Sequence, residues 1–332
     1  MTTLPELVGA QLIVGFSGSA CTDEMVAHLQ AIHAGGFVAF ERNFVSPDQV
    51  HSLIQEVQER LGRRLVVMVD HEGGRVIRFR TGLTQFRDAR TVGRTQQPED
   101  VYHQGQREAE ELRVLGVHVN LAPCVDVLVE GSDPVIGDRS YGSDPERVAA
   151  FGASRIRGLQ ERGVAACAKH FPGLGAVPKD PHHHLPTVDL DWKAIRSIHL
   201  GPFVAAIQAD VAAIMSSHVC YPNLVEGPPR PATFSSRLIA QLLRQELRFH
   251  GAVLTDDLEM GALRALCSFA EAAVQAVEAG HDGLLICSDP ALQREAHTVL
   301  MAAYQAGRLP VEGLMRSVRR LAALRRNNPG NS

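Results

Sequence analysis

Lys169 and His170 end an apolar run that begins at Val164, and the stretch they open, Lys169-His-Phe-Pro-Gly-Leu-Gly175, leads to Asp180-Pro181-His182-His183-His184. A cation and an imidazole at the end of a buried strand are costly unless they face a wet, working surface. On the loop that follows, an acid stands two residues before a histidine. Asp180 can accept a hydrogen bond from one ring nitrogen of His182, fixing its tautomer and raising its basicity, which makes the two a candidate acid/base pair. The plainer reading is a solvated polar loop. The run His182 to His184 also raises the question of a metal. Adjacent residues in extended chain point to opposite sides, and no His-Glu-x-x-His or separate His-x-His pair accompanies them, so neither a metal nor another cofactor is expected.

Three further clusters carry chemistry. Asp256-Asp257 follows the apolar Ala252-Val-Leu-Thr255. Asp256 is a candidate nucleophile or metal ligand there, while Asp257 is expected to bond loop backbone; the bland alternative is a helix cap for the segment beginning near Leu258. Asp70-His-Glu-Gly-Gly-Arg75-Val-Ile-Arg78 sets an acid at a strand end beside two arginines, and an aspartate so placed can accept from two vicinal hydroxyls. The alternative is a salt-bridged turn. Gly137-Asp-Arg139-Ser-Tyr-Gly142 adds another arginine in a loop, functional or merely exposed. Gly15-Phe-Ser-Gly18 is too short and misplaced for a dinucleotide fingerprint.

Eight apolar runs must position these groups: Leu12–Phe16, Gly36–Phe40, Leu65–Asp70, Val117–Ala122, Ala165–His170, Ala212–His218, Gly251–Asp256 and Gly283–Ser288. They lack polar alternation, as strands buried on both faces do. Helical segments separate them. Ser46-Pro-Asp-Gln49 combines an N-cap, a proline at N1 and a capping-box glutamine, with Gly62 to close the helix; Asp144-Pro145 and Asp289-Pro290 open two more, stopped near Gly163 and Gly307. Strand, loop, helix, glycine is the repeating unit. Eight such units predict a single-domain (β/α)8 TIM-type barrel over residues 1–332, with an extra C-terminal helix, Val311 to Arg326, packed outside. Chemistry in such a barrel belongs where strands end, and polar residues mark six of the eight ends: Asp70, Asn120, Lys169-His170, Ser217-His218, Asp256-Asp257 and Ser288.

Composition narrows the function. The 332 residues are 45% hydrophobic and 21% charged, with a formal net charge of -4, and no basic stretch longer than an arginine pair suggests nucleic acid or a membrane surface as partner. The six cysteines include no C-x-x-C pair and read mostly as small buried hydrophobes in a reducing compartment. No basic leader and no apolar stretch long enough to span a bilayer is seen. A cytoplasmic monomer is expected.

Together the segments resemble family 3 glycoside hydrolases, and within them the bacterial single-domain β-N-acetylglucosaminidases (β-hexosaminidases) of peptidoglycan recycling. The matching pieces are Asp70-x-Glu-Gly-Gly-Arg-Val-x-Arg78, Asp138-Arg-Ser, Lys169-His-Phe-Pro-Gly-x-Gly, Asp180-x-His182, Ser217-His-Val-x-Tyr-Pro222 and Thr255-Asp-Asp-Leu-Glu-Met260. The resemblance runs from about Gly15 to about Ser288. It implies Asp256 as nucleophile, His182 assisted by Asp180 as acid/base, and Asp70, Arg78, Arg139, Lys169 and His170 as the residues holding an N-acetylglucosamine ring. It implies GlcNAc-containing muropeptide fragments as the small carbohydrate partner. The chain departs from the family pattern at His71, Leu174 and Pro181, where Gln, His and Ser are usual. Proline fixes its own φ and pushes Asp180 toward extended backbone, so a stiffer acid/base loop is expected. Three other activities fit parts of the pattern: a glycoside phosphorylase of the same family, a metal-dependent barrel hydrolase and a non-catalytic sugar binder.

Overall fold

The eight apolar runs are the eight strands of a closed parallel barrel. They are β1 (Leu12–Val14), β2 (Gly36–Ala39), β3 (Val66–Val69), β4 (Val119–Asn120), β5 (Ala165–Phe171), β6 (Ala213–Ser216), β7 (Ala252–Asp257) and β8 (Gly283–Ile286). Closure is made by β8 on β1, with Leu12, Ile13 and Val14 opposite Leu284, Leu285 and Ile286. The computed structural model describes residues 2–131, 135–177, 186–225, 228 and 230–325; Asp180, Pro181, His182 and Arg326 lie outside them.

The helix signals act as expected, with one refinement. Ser46 Oγ accepts the Gln49 N–H at the start of Pro47–Leu61, and Gly62 closes that helix at φ 63°. Gln49 does not return to the cap residue. Its Oε1 accepts the Val45 N–H one position earlier, at 2.8 Å, and its Nε2 donates to Asn43 O at 3.2 Å. The side chain therefore ties the β2 loop to the helix that follows. Asp144 and Asp289 cap Pro145–Glu161 and Pro290–Gln305.

Alternate strand residues fill the barrel interior: Ile13, Val38, Met68, Leu121, Cys167, Met215, Leu254 and Leu285 belong to one buried cluster. The same cluster contains Leu321 and Leu324, each only 2% exposed. The final helix, Val311–Ala323, is therefore not simply packed outside, as the sequence pattern suggested. It crosses the N-terminal mouth of the barrel and plugs it. Small residues at that end, Ala165, Ala213, Ala252 and Gly283, leave the space; a methyl group on Gly283 would come within 3.0 Å of Leu321 Cδ2. Asp282 at the start of β8 latches the plug, pairing with Arg244 and Arg320 and accepting from Ser317 Oγ at 2.8 Å. Leu321→Ala should cost about 2–5 kcal/mol of unfolding free energy, because it opens a cavity in a closed interior. Urea denaturation measures this; a loss under about 1 kcal/mol would mean the plug is superficial.

Near the same end, His118 Nδ1 accepts the Val67 N–H at 3.1 Å, so its ring must keep a lone pair there. Burial, aided by Arg325 and Arg64, lowers its pKa to about 4. A folded pKa below the unfolded value of about 6.5 costs nothing at neutral pH and removes stability as pH falls from 6.5 toward 4. His118→Asn keeps an acceptor but no titrating ring. Its stability loss relative to wild type should shrink between pH 7 and pH 5, read from urea midpoints; a constant gap would contradict the assignment.

Candidate active site

Every described candidate reaches the C-terminal mouth of the barrel. Asp70 follows β3 directly. A short hairpin, His71–Gly73 with Val76–Ile77, then carries Glu72 inward and turns the chain toward Arg78. The hairpin needs glycine: Gly73 sits at φ 108°, and a Cβ there would lie 2.6 Å from Arg87 O. Lys169 and His170 stand near the end of β5, Asp256 and Asp257 at the end of β7, and Arg139 on the short turn Gly137–Arg139 after β4. Asp70, Arg78, Arg139, Lys169, His170, Asp256 and Asp257 all line one cavity of about 380 Å³. Val38, Phe40, Val76, Leu121, Met215 and Leu285 supply its apolar wall.

The polar wall is one connected array. Lys169 Nζ donates to Asp70 Oδ1 at 2.6 Å and stands 2.7 Å from Glu72 Oε1. Arg139 grips Glu72 with two bonds, Nε to Oε2 at 2.9 Å and Nη2 to Oε1 at 2.8 Å, and its Nη2 lies 3.4 Å from His170 Nε2. His170 Nδ1 meets Asp126 Oδ2 at 2.7 Å. Arg78 closes the other end, 3.5 Å from Asp70 Oδ2. Burial works against the charges of Asp70 and Lys169, but their partners win. Lys169 and Arg78 hold the Asp70 carboxyl below the usual carboxylate range, against burial and the repulsion of Glu72. Burial opposes the Lys169 ammonium, yet Asp70 and Glu72 raise its pKa. The charges are fixed before any ligand arrives, so hydroxyl and amide groups meet donors and acceptors that need no reorganisation.

Asp256 stands apart from that array, and its Oδ1 accepts only its neighbour's N–H, Asp257 N at 2.8 Å, among the bonds seen. Asp257 behaves as its sequence suggested: Oδ1 accepts from Glu259 N at 3.1 Å and Cys287 N at 3.3 Å, bracing the β7 and β8 ends. Burial raises its carboxyl to about 6. Among the other strand-end residues, Asn120 does not serve the cavity. It holds the hairpin instead, accepting from His71 N at 3.1 Å and donating to His71 O at 2.9 Å.

Two site residues escaped the sequence reading. Glu72, inside the quoted Asp70 segment, bridges Lys169 and Arg139 while 5% exposed. Asp126 is fully buried and accepts from His170 N, His170 Nδ1 and Leu174 N, the last at 2.6 Å. Its signal was an acid inside an apolar run, Ala122-Pro-Cys-Val-Asp126-Val127. Cys124, Asp126 and His170 present ligand-type atoms within 4.8 Å of one another. Hydrogen bonds already join them, since Cys124 Sγ donates to Asp126 Oδ2 at 3.3 Å, and the Arg139 guanidinium beside His170 opposes a cation.

A family model, the glycosyl hydrolase family 3 N-terminal domain, matches residues 4–324. The chain belongs to glycosyl hydrolase family 3. A beta-hexosaminidase of Idiomarina loihiensis is 36% identical over 287 residues, covering 85% of each chain. A family 3 β-N-acetylglucosaminidase structure from Paenibacillus sp. str. FPU-7 superposes with a TM-score of 0.96 at 38% identity; it covers 100% of this chain, which spans only 64% of that one. NagZ from Neisseria gonorrhoeae, in complex with N-trifluoroacetyl-D-glucosamine, gives a TM-score of 0.78 at 29% identity, over 94% of this chain and 97% of that one. Two departures of this family 3 chain have physical explanations. At His71 the backbone does the work, through Asn120 and through Arg155 Nη2, which donates to His71 O at 3.0 Å. At Leu174 the backbone N–H is clamped by Asp126 and the side chain packs on the core, so the loop path does not need a polar group there. The Pro181 departure lies outside the described residues.

Proposed function

We propose that this family 3 enzyme is a retaining exo-β-N-acetylglucosaminidase. In this reading it releases terminal non-reducing GlcNAc from peptidoglycan fragments, GlcNAc-anhydroMurNAc with or without peptide, through a covalent bond to Asp256. The observation that carries the reading is the meeting of Asp256 with Asp70, Arg78, Arg139, Lys169 and His170 on one cavity at the barrel's C-terminal mouth. The beta-hexosaminidase relatives and the neighbour that binds N-trifluoroacetyl-D-glucosamine support a 2-acylamino sugar as the ring held there. None of the described helices is long and apolar enough to cross a membrane.

The chemistry follows from the roles. Asp70 and Lys169 hold ring hydroxyls as acceptor and donor, Arg78 adds a second cation, and Arg139 and His170 face the acetamido side. Asp256 attacks the anomeric carbon as the glycosidic bond breaks, forming a glycosyl ester. His182, as imidazolium, gives its proton to the leaving oxygen; as imidazole it then takes a proton from the water that cleaves the ester. Asp180 orients the ring. A neutral imidazole also avoids repelling the lactyl carboxylate of a muramic acid aglycone.

His182→Ala tests this assignment. With a poor phenol leaving group the first step should slow by roughly 10²–10⁴-fold. With a very good one, such as dinitrophenol, most of that first-step loss should disappear. Equal losses on both substrates would remove His182 from the acid role.

A further inference from the structure

Ser217-His-Val-Cys-Tyr221 follows β6 and contributes nothing to the lining of the sugar cavity, yet all five residues are buried, none more than 4% exposed. Polar groups this deep need a reason, and theirs is a set of bonds to three separate elements. His218 Nε2 meets the backbone carbonyl of Asp257 at 2.9 Å, which assigns the ring proton to that nitrogen. Its Nδ1 faces Thr233 Oγ1 at 2.7 Å. His218 therefore reads the position of the β7 end, one residue beyond Asp256. Tyr221 Oη donates to Gly173 O at 2.9 Å and stands 3.1 Å from Ser217 Oγ. Gly173 precedes the departure of the chain toward Asp180. Cys220 holds the chain where it comes back: its N–H donates to Pro186 O at 2.8 Å, and Val188 N donates to Cys220 O at 2.9 Å.

We propose that Ser217–Tyr221 is a positioning strut that sets the acid/base segment against the nucleophile strand: His218 is bonded to β7, Tyr221 to the start of that segment and Cys220 to its end. The inference rests on the reading of Asp256 and His182 above and adds to it which residues anchor the chain on either side of residues 178–185. The anchoring matters because a displacement of about 1 Å in a catalytic group can cost about 10²-fold in rate. Ordinary core packing would not require hydroxyl and imidazole groups aimed at the backbone of both catalytic elements. Tyr221 and His218 act through other residues and touch no substrate.

Tyr221→Phe removes the bond to Gly173 and keeps the ring. Measured on aryl β-N-acetylglucosaminides, it should lower kcat/KM roughly 10- to 100-fold with poor leaving groups and less with activated ones. KM should move less than kcat. In a His182→Ala background the same substitution should add less than about 2-fold, because the group it positions is gone. Ser217→Ala, a smaller change, should shift rates in the same direction and serves if Tyr221→Phe folds poorly. A Tyr221→Phe enzyme within about 2-fold of wild type, or an equal loss in both backgrounds, overturns the strut. Full activity in His182→Ala alone is a different result: it overturns the acid/base reading and with it the purpose of the strut.

Discussion

Asp256→Ala is expected to lower kcat/KM for an aryl β-N-acetylglucosaminide by roughly 10⁴-fold or more while leaving the fold intact. The carboxylate stands at the rigid end of β7 and, unlike Asp70 and Glu72, is not spent on the cation array of Lys169, Arg78 and Arg139. Removing it strands no buried cation. Its hydrogen bond is local, from the neighbouring Asp257 N–H, and the side chain is only partly buried. The urea midpoint should therefore correspond to a change within about 1 kcal/mol. An external anion such as azide should enter the vacated space, recover part of the rate on an activated substrate and give the inverted glycosyl azide. An undiminished rate, or a lost fold, would contradict the role given to Asp256.

Lys169→Met should produce the opposite balance, a loss of both stability and activity. The ammonium is 2% exposed and separates two carboxylates, Asp70 at 2.6 Å and Glu72 at 2.7 Å. Methionine keeps the length but leaves the buried Glu72 and the partly buried Asp70 without their shared cation. Breaking a buried ion pair from one side costs about 3–5 kcal/mol, and a sugar hydroxyl loses a charged donor, which adds roughly a further 10- to 100-fold in kcat/KM. The pH dependence has a sign. Lys169 lowers both carboxyl pKa values in the folded protein. That stability is present above the unfolded carboxylate range, about 4, and is lost as pH falls through the lowered values. The gap between wild type and Lys169→Met should be widest near pH 7 and narrow as the medium becomes acidic. Denaturation at a series of pH values reads it; a gap that widens in acid would show that Lys169 is not the counter-ion of this pair.

The barrel was legible because strands covered on both faces have nothing polar to alternate with, so Leu12–Val14 or Gly283–Ile286 reads as plain apolar chain between capped helices. That the six described candidates would gather on one cavity was legible because strand ends share one mouth in this architecture and Lys169, His170 and Asp256 interrupt apolar runs there. Glu72 was harder. It sits one turn of chain beyond Asp70 and enters the site only because two glycines fold the hairpin back on the barrel mouth. Asp126 gave a local signal, an acid among apolar neighbours, but its partners His170 and Leu174 are more than forty residues away in sequence. The destination of the last helix was not legible at all. Its amphipathic pattern requires an apolar contact, and nothing local says that Leu321 and Leu324 find it inside the barrel.

The account turns on a covalent bond to one carboxylate. A 2-acylamino sugar with a very good leaving group and a fluorine that slows breakdown of the ester should accumulate that species. Intact-mass and peptide mass spectrometry should then find one glycosyl unit per chain, on the β7 peptide containing Asp256, and none in Asp256→Ala. A label on another residue, or turnover whose first-formed product is the inverted anomer with no adduct at any time, would contradict it.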